Sequence, residues 1–157
     1  MNETQSYGDC GQQQYKRNKT VLAIPAWLVM DSQPRKKCFL LRVFPGKTPE
    51  SAFTAGLPKK GASLDELAKE IGVDAKGLES TVSHFNEMVA RGNDDDFSRG
   101  KSFYDQHFGD PTIKPIPILG TLEVGPFYAI QIWPGDLGTE GSLPTDEYTR
   151  VLRKNSK

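Results

Sequence analysis

The chain has 157 residues, 36% of them hydrophobic, with 20 basic and 20 acidic side chains and a formal net charge of zero. That length fits one domain able to bury one core. A balanced charge leaves no electrostatic footprint for nucleic acid or an anionic membrane. Two cysteines, Cys10 and Cys38, make neither a disulfide framework nor a zinc site, and free thiols are expected. No basic segment followed by an apolar one opens the chain, and no apolar run nears the ~18 residues of a membrane span. The expectation is a soluble, cytoplasmic protein.

In chain order, residues 1–20, "MNETQSYGDCGQQQYKRNKT", are polar and without clear period, and read as loop or peripheral segment. "VLAIPAWLVMD" (Val21 to Asp31) is rich in strand formers, and Pro25 points to an edge or a bulge. The short basic runs "RKK" (Arg35 to Lys37) and "KK" (Lys59, Lys60) read as solvated loops, with a second strand, "CFLLRVF" (Cys38 to Phe44), between them. The Pro- and Gly-punctuated stretch from Pro45 to Ala62 reads as loop.

Two helices follow. Ser63 and Glu66 form a capping box, and Leu64, Leu67, Ala68 and Ile71 share one face before Gly72 stops the helix. Asp74 caps the next, with Leu78, Val82, Phe85 and Val89 as its apolar stripe and Gly92 at its end. Residues 93–120 read as loop with one helical turn. "PFYAIQIW" (Pro126 to Trp133) reads as a strand, and "TDEYTRVLR" as a last strand or turn. Strands and helices do not alternate regularly, so the class is α+β: a small mixed or antiparallel sheet with helices packed on it.

Few residues offer chemistry by themselves. Asp94, Asp95 and Asp96 lack the alternate spacing and distant Glu of a calcium loop, and read as a solvated acidic loop in which Asp96 pairs with Arg99. His84 and His107 have no nucleophile motif beside them. "GDLGTEGSL" is not a dinucleotide fingerprint, although its glycines allow close approach to a flat ligand. Tyr7 is an ordinary aromatic unless something stabilises its anion, because a free phenol has a pKa of ~10.

Several pieces nevertheless occur together in one family. "NETQSYGDCG", "IPAWLVMDSQ", the stretch from Ser63 to Pro111 carrying "FN…G…D-x-x-F-x-R-G", and "GPFYAIQIWPGDLGTEGSLPTD" resemble FAD-dependent 3-ketosteroid dehydrogenases. More broadly they resemble the flavoprotein class that includes fumarate reductases. The resemblance implies a fragment. Residues 1–20 would be a linker from an FAD domain, 21–134 the substrate-side catalytic domain, and 135–157 the start of a return into the FAD domain.

It also implies roles. Tyr7 would remove a proton from the steroid A ring while hydride passes to flavin. Asn2 and Glu3, with Gly138 and Thr139 of the glycine loop, would face the cofactor. The cofactor implied is FAD and the substrate a 3-ketosteroid or similar apolar molecule, with a separate FAD domain as partner and no metal. The family's dinucleotide glycines have no counterpart here, so inactivity of the fragment alone is implied. Glu140 and Ser142 stand where the family has lysine and glycine, and Pro34 and Cys38 also depart from its pattern. Two alternatives remain open: a fumarate-reductase-like fragment clamping a dicarboxylate, with Arg42, Arg91 and Arg99 to watch, and a non-enzymatic module that lost its cofactor.

Overall fold

A computed structural model describes residues 1–38, 40, 44–46, 49–54, 58–135 and 143–153. Among them are three strands: β1 (Ala26–Met30), β2 (Lys59–Gly61) and β3 (Phe127–Ile132). They form one antiparallel sheet in the order β1-β3-β2. Trp27 pairs with Gln131, Val29 with Ala129, Lys59 with Ala129 and Gly61 with Phe127. Strand period two therefore puts Trp27, Val29, Ala129, Phe127 and Gly61 on one face. The α+β expectation holds, and the sheet is antiparallel throughout.

That face is covered by helix α4 (Leu64–Ile71). Leu67 of α4, fully buried, meets Phe127 and Ala129, with Trp27, Val29, Leu64, Ile71 and Leu122 around them. Ser63 caps α4 by accepting from the Glu66 amide at 3.2 Å, and Glu66 reaches back one residue further than expected, to the Ala62 amide at 2.8 Å. Helix α5 (Ala75–Arg91) starts at Asp74, which accepts from the Gly77 amide at 2.7 Å, and ends at left-handed Gly92. A second core joins Val89 of α5 to Ile116 and Leu119, with Phe85 and Ile118 beside them.

Three stretches depart from the sequence reading. Residues 1–20 contain a twelve-residue helix, α1 (Tyr7–Asn18). Its buried position is Gln14, so no apolar stripe announces it, yet Ser6 caps it through the Asp9 amide. "RKK" lies in α2 (Ser32–Lys37), and Arg35 is buried there, donating to the carbonyls of Cys38, Phe44 and Gly46 at 2.9–3.3 Å. The stretch expected as loop before Ser63 carries α3 (Glu50–Thr54) and β2, so Lys59 and Lys60 stand on an edge strand. Here Phe53 stacks on Tyr128 of β3, with the Lys60 ammonium 5.4 Å from its ring. The expected strand from Cys38 to Phe44 lies mostly outside the described residues, although Leu40 is buried in a bridge. The expected helical turn is α6 (Phe103–Phe108). The expected turn near the end closes in a bridge between Thr145 and Val151.

Gly61 shows what brings α4 down onto the sheet. A Cβ there would lie 2.4 Å from the Leu67 nitrogen and 2.8 Å from its Cα, both backbone atoms that cannot step aside. Gly61→Ala should therefore cost about 1–3 kcal/mol as overpacking, read as a lower denaturation midpoint in urea. An unchanged midpoint would show that α4 does not need that closeness.

Candidate active site

Tyr7 is the first residue of α1 and stands 64% exposed. Gly11 and Gln14 follow it at helical spacing, on the same stripe of α1. Both touch the exit of β3. Gln14 donates from Nε2 to the Ile132 carbonyl at 3.3 Å, and a Cβ on Gly11 would meet the Pro134 side chain at 3.9 Å. Tyr7 thus shares its stripe with the residues that border the exit of β3. From there the chain continues through Trp133, Pro134 and Gly135 toward residues 136–142. Gly138 and Thr139 lie outside the described residues. The Cys10 thiol, three residues on, has its pKa raised by burial and by the Glu3 charge, so it is not a thiolate nucleophile waiting beside Tyr7.

Asn2 and Glu3 lead into α1. Asn2 is buried; its Oδ1 accepts from the Thr4 amide and hydroxyl at 3.1 and 2.8 Å, and its own amide nitrogen donates to Gln13 Oε1. Glu3 accepts from Arg99 Nη1 through both oxygens, at 2.7 and 2.8 Å. Arg99 is itself buried, and its other partner is the fully buried carboxylate of Asp94. Its backbone amide, Nε and Nη2 donate there at 2.9, 2.7 and 3.2 Å. The guanidinium carbon lies over the rings of Phe85 and Phe97, 5.4 and 5.2 Å from their centroids.

The stretch "FN…G…D-x-x-F-x-R-G" is therefore a built object. Asp94, Phe97 and Arg99 make the clamp. Asn86 fixes Leu122 by accepting from its amide and donating to its carbonyl. Gly100 takes φ +85 in a turn so tight that a Cβ would lie 2.4 Å from Ile116. The expected solvated loop with an Asp96–Arg99 pair is corrected accordingly: Asp94 takes Arg99, while Asp96 stands 3.4 Å from His84. A buried arginine costs too much to leave with one exposed partner, so the buried carboxylate wins.

His84 is exposed, and His107 stacks on Phe103 at the surface of α6. Arg91 pairs with Asp95, Arg99 is fully engaged, and Arg42 lies outside the described residues. Arg99 is not free to clamp a dicarboxylate, whereas the Arg91–Asp95 pair is an exposed contact within one turn that holds Arg91 only weakly. Between the starts of α1 and α6 is a hollow of about 310 Å³, bordered by Asn2, Ser6, Asp9, Phe97, Tyr104 and Asp105. Among the described residues, no group of three or more His, Cys, Asp or Glu side chains could hold a metal, and no helix is long and apolar enough to cross a membrane.

A flavin dinucleotide needs a strand, a glycine turn and a helix whose open N-terminus receives the pyrophosphate. β1 does run into α2, but the turn has no glycine. The N-terminus of α2 is already filled by the Asp31 carboxylate, which accepts from the Gln33, Glu123 and Val124 amides at 2.9–3.1 Å. A phosphate does not fit beside that buried anion. The turn from β1 to α2 is therefore not the cofactor's pyrophosphate cradle.

The profile of the FAD binding domain family matches residues 1–157, and the chain belongs to that family, whose cofactor is FAD. It is 44% identical over 131 residues to 3-oxosteroid 1-dehydrogenase of Mycolicibacterium smegmatis, covering 83% of this chain and 23% of the relative. It is 40% identical over 156 residues to 4-oxocyclohexanecarboxylate 2-dehydrogenase of Sinomonas cyclohexanicum, covering 96% and 26%. Among solved structures, it matches the 3-ketosteroid Δ1-dehydrogenase of Sterolibacterium denitrificans in complex with 1,4-androstadiene-3,17-dione. That match has a TM-score of 0.86 and 34% identity, over 98% of this chain and 28% of that one. The chain thus spans about a quarter of the length of the relatives it matches.

The clamp should register in acid. Burial alone pushes the Asp94 carboxyl up, but its hydrogen bonds to Arg99 outweigh this and hold it down at about 2. A depressed carboxyl gives stability that is complete above its unfolded value of ~3.9 and disappears as pH falls toward the folded value. The unfolding free energy should therefore drop between about pH 4 and about pH 2. In Arg99→Met, which strands the buried carboxylate, stability at neutral pH should fall by about 3–5 kcal/mol. A wild-type midpoint in that variant would contradict the clamp.

Proposed function

We propose that this chain is the substrate-side segment of a flavin-dependent dehydrogenase acting on a cyclic ketone of the 3-ketosteroid type, and that Tyr7 is its base. The observation that carries the reading is the place of Tyr7: exposed, at the capped start of α1, on the stripe that follows the exit of β3. The chemistry named for the relatives supports it. A 3-oxosteroid dehydrogenated at position 1 and a 4-oxocyclohexane acid dehydrogenated at position 2 share one feature. Each is a ring ketone oxidised two carbons from the carbonyl.

In such a ring the proton beside the carbonyl is acidified by the ketone, and the hydrogen one carbon further leaves as hydride. FAD, where bound, supplies the hydride acceptor. The chain's own part is the proton. Tyr7 takes it from the carbon next to the carbonyl, and the oxygen that becomes negative needs donors held elsewhere in the protein. Alone, the chain is therefore without turnover. Asn2 and Glu3 serve by shaping the approach to Tyr7, and Gly138 and Thr139 by lining the cofactor or substrate. The buried, doubly paired state of Arg99 disfavours it as a clamp for a dicarboxylate.

The test is a graft of this chain in place of the matching segment of the Mycolicibacterium smegmatis enzyme. It should reduce dye with a 3-ketosteroid and not with succinate. Tyr7→Phe in the graft should keep its flavin and lose about 10²–10⁴-fold in kcat. Full turnover without the Tyr7 hydroxyl would sink the base assignment.

A further inference from the structure

We propose that Glu3 and Arg99 form a positioning tether for Tyr7, holding the start of α1 against the turn that carries Asp94. The inference rests on the reading of Tyr7 as base and adds to it a residue pair that never touches substrate.

Four observations carry it. First, the contact is long-range: Glu3 and Arg99 are 96 residues apart in sequence, and both Glu3 oxygens receive the same Nη1. Second, the Arg99 end is rigid. Its backbone and side chain are bound to a fully buried Asp94, its guanidinium lies over the rings of Phe85 and Phe97, and Gly100 next to it is packed on Ile116. An anchor that cannot move transmits a position. Third, the Glu3 end is short. Three residues separate Glu3 from Tyr7, and the segment is tied at both ends: Asn2 binds Thr4 and Gln13 of α1, and Ser6 caps the helix through Asp9. Fourth, α1 has little else to hold it. Its single buried side chain is Gln14, and its apolar content is low, so hydrophobic burial does not fix its position.

The tether is also asymmetric in a useful way. The Asp94–Arg99 half is buried and serves the fold. The Glu3 carboxylate is about one-third exposed, so removing it leaves Arg99 still paired with Asp94. A variant at Glu3 can therefore release α1 without stranding a buried charge. A base displaced by about 1 Å can lose about 10²-fold in rate, which makes such a tether visible in kcat.

Two measurements on Glu3→Ala test it. In the 157-residue chain, amide hydrogen exchange in α1 should quicken by about tenfold or more, as expected for loss of a charge-assisted bond, while α4 and α5 keep wild-type protection. In the graft, kcat should fall by about tenfold or more with KM nearly unchanged, and Glu3→Gln, which keeps an acceptor at the same reach, should recover part of it. Wild-type exchange in α1, or wild-type kcat despite quickened exchange, would overturn the tether as a positioning device. Tyr7→Phe in the same graft keeps the two ideas apart. If Tyr7→Phe is inactive and Glu3→Ala is normal, the tether alone fails. If Tyr7→Phe is fully active, the base assignment fails, and the positioning role falls with it.

Discussion

A guanidinium taken out of water must be given its counter-charge and its hydrogen bonds in place, and the structure around Arg99 is organised by that requirement. Asp94, itself fully buried, supplies one partner and Glu3 the other. The rings of Phe85 and Phe97 lie within cation–π range of the guanidinium. The turn from Asp94 to Gly100 takes its shape from this. Ser98 accepts a positive φ, Gly100 adopts one, and Arg99 folds back onto the Asp94 carboxylate. Through Glu3 the same cation reaches the start of the chain, so the segment that introduces Tyr7 is joined to the end of α5.

The sheet plays the complementary part. β3 is the central strand, with one face pressed on α4 and its far end bordered by α1. Gly61 lets α4 sit close, and Asp31 gathers the amides of Gln33, Glu123 and Val124, which ties the end of β1 to the approach of β3. The entry of β3 is thereby held from two sides, while Gln14 of α1 meets its exit. A tyrosine on the adjoining stripe of α1 gains a defined neighbourhood although it is itself exposed. That exposure is what the proposed role of Tyr7 requires.

How much of this was legible in the sequence follows from what each element is made of. α4 and α5 were readable because Leu67, Val82 and Val89 repeat at helical spacing between Ser63, Asp74 and two glycines that stop them. β3 was readable from its strand formers. α1 was not, because a glutamine sits at its buried position and periodicity of apolar residues carries no signal there. β2 was hidden behind two lysines: an edge strand of three residues needs no apolar alternation. The acidic run misled in the same way. Asp94, Asp95 and Asp96 look alike in sequence, and only the fold distinguishes the buried partner of Arg99 from two surface carboxylates. The proposed role of Tyr7 comes only from resemblance, since nothing in "QSYGDC" marks it as a base.

The central claim is that this chain brings the proton acceptor to a ring ketone. Proton removal can be watched apart from hydride transfer, as wash-in of solvent deuterium at the carbon beside the carbonyl of a 3-ketosteroid bound to the graft. The account predicts wash-in with the Tyr7 hydroxyl in place and its loss in Tyr7→Phe, with flavin and steroid still bound. Equal wash-in with and without that hydroxyl would place the base elsewhere and contradict the account.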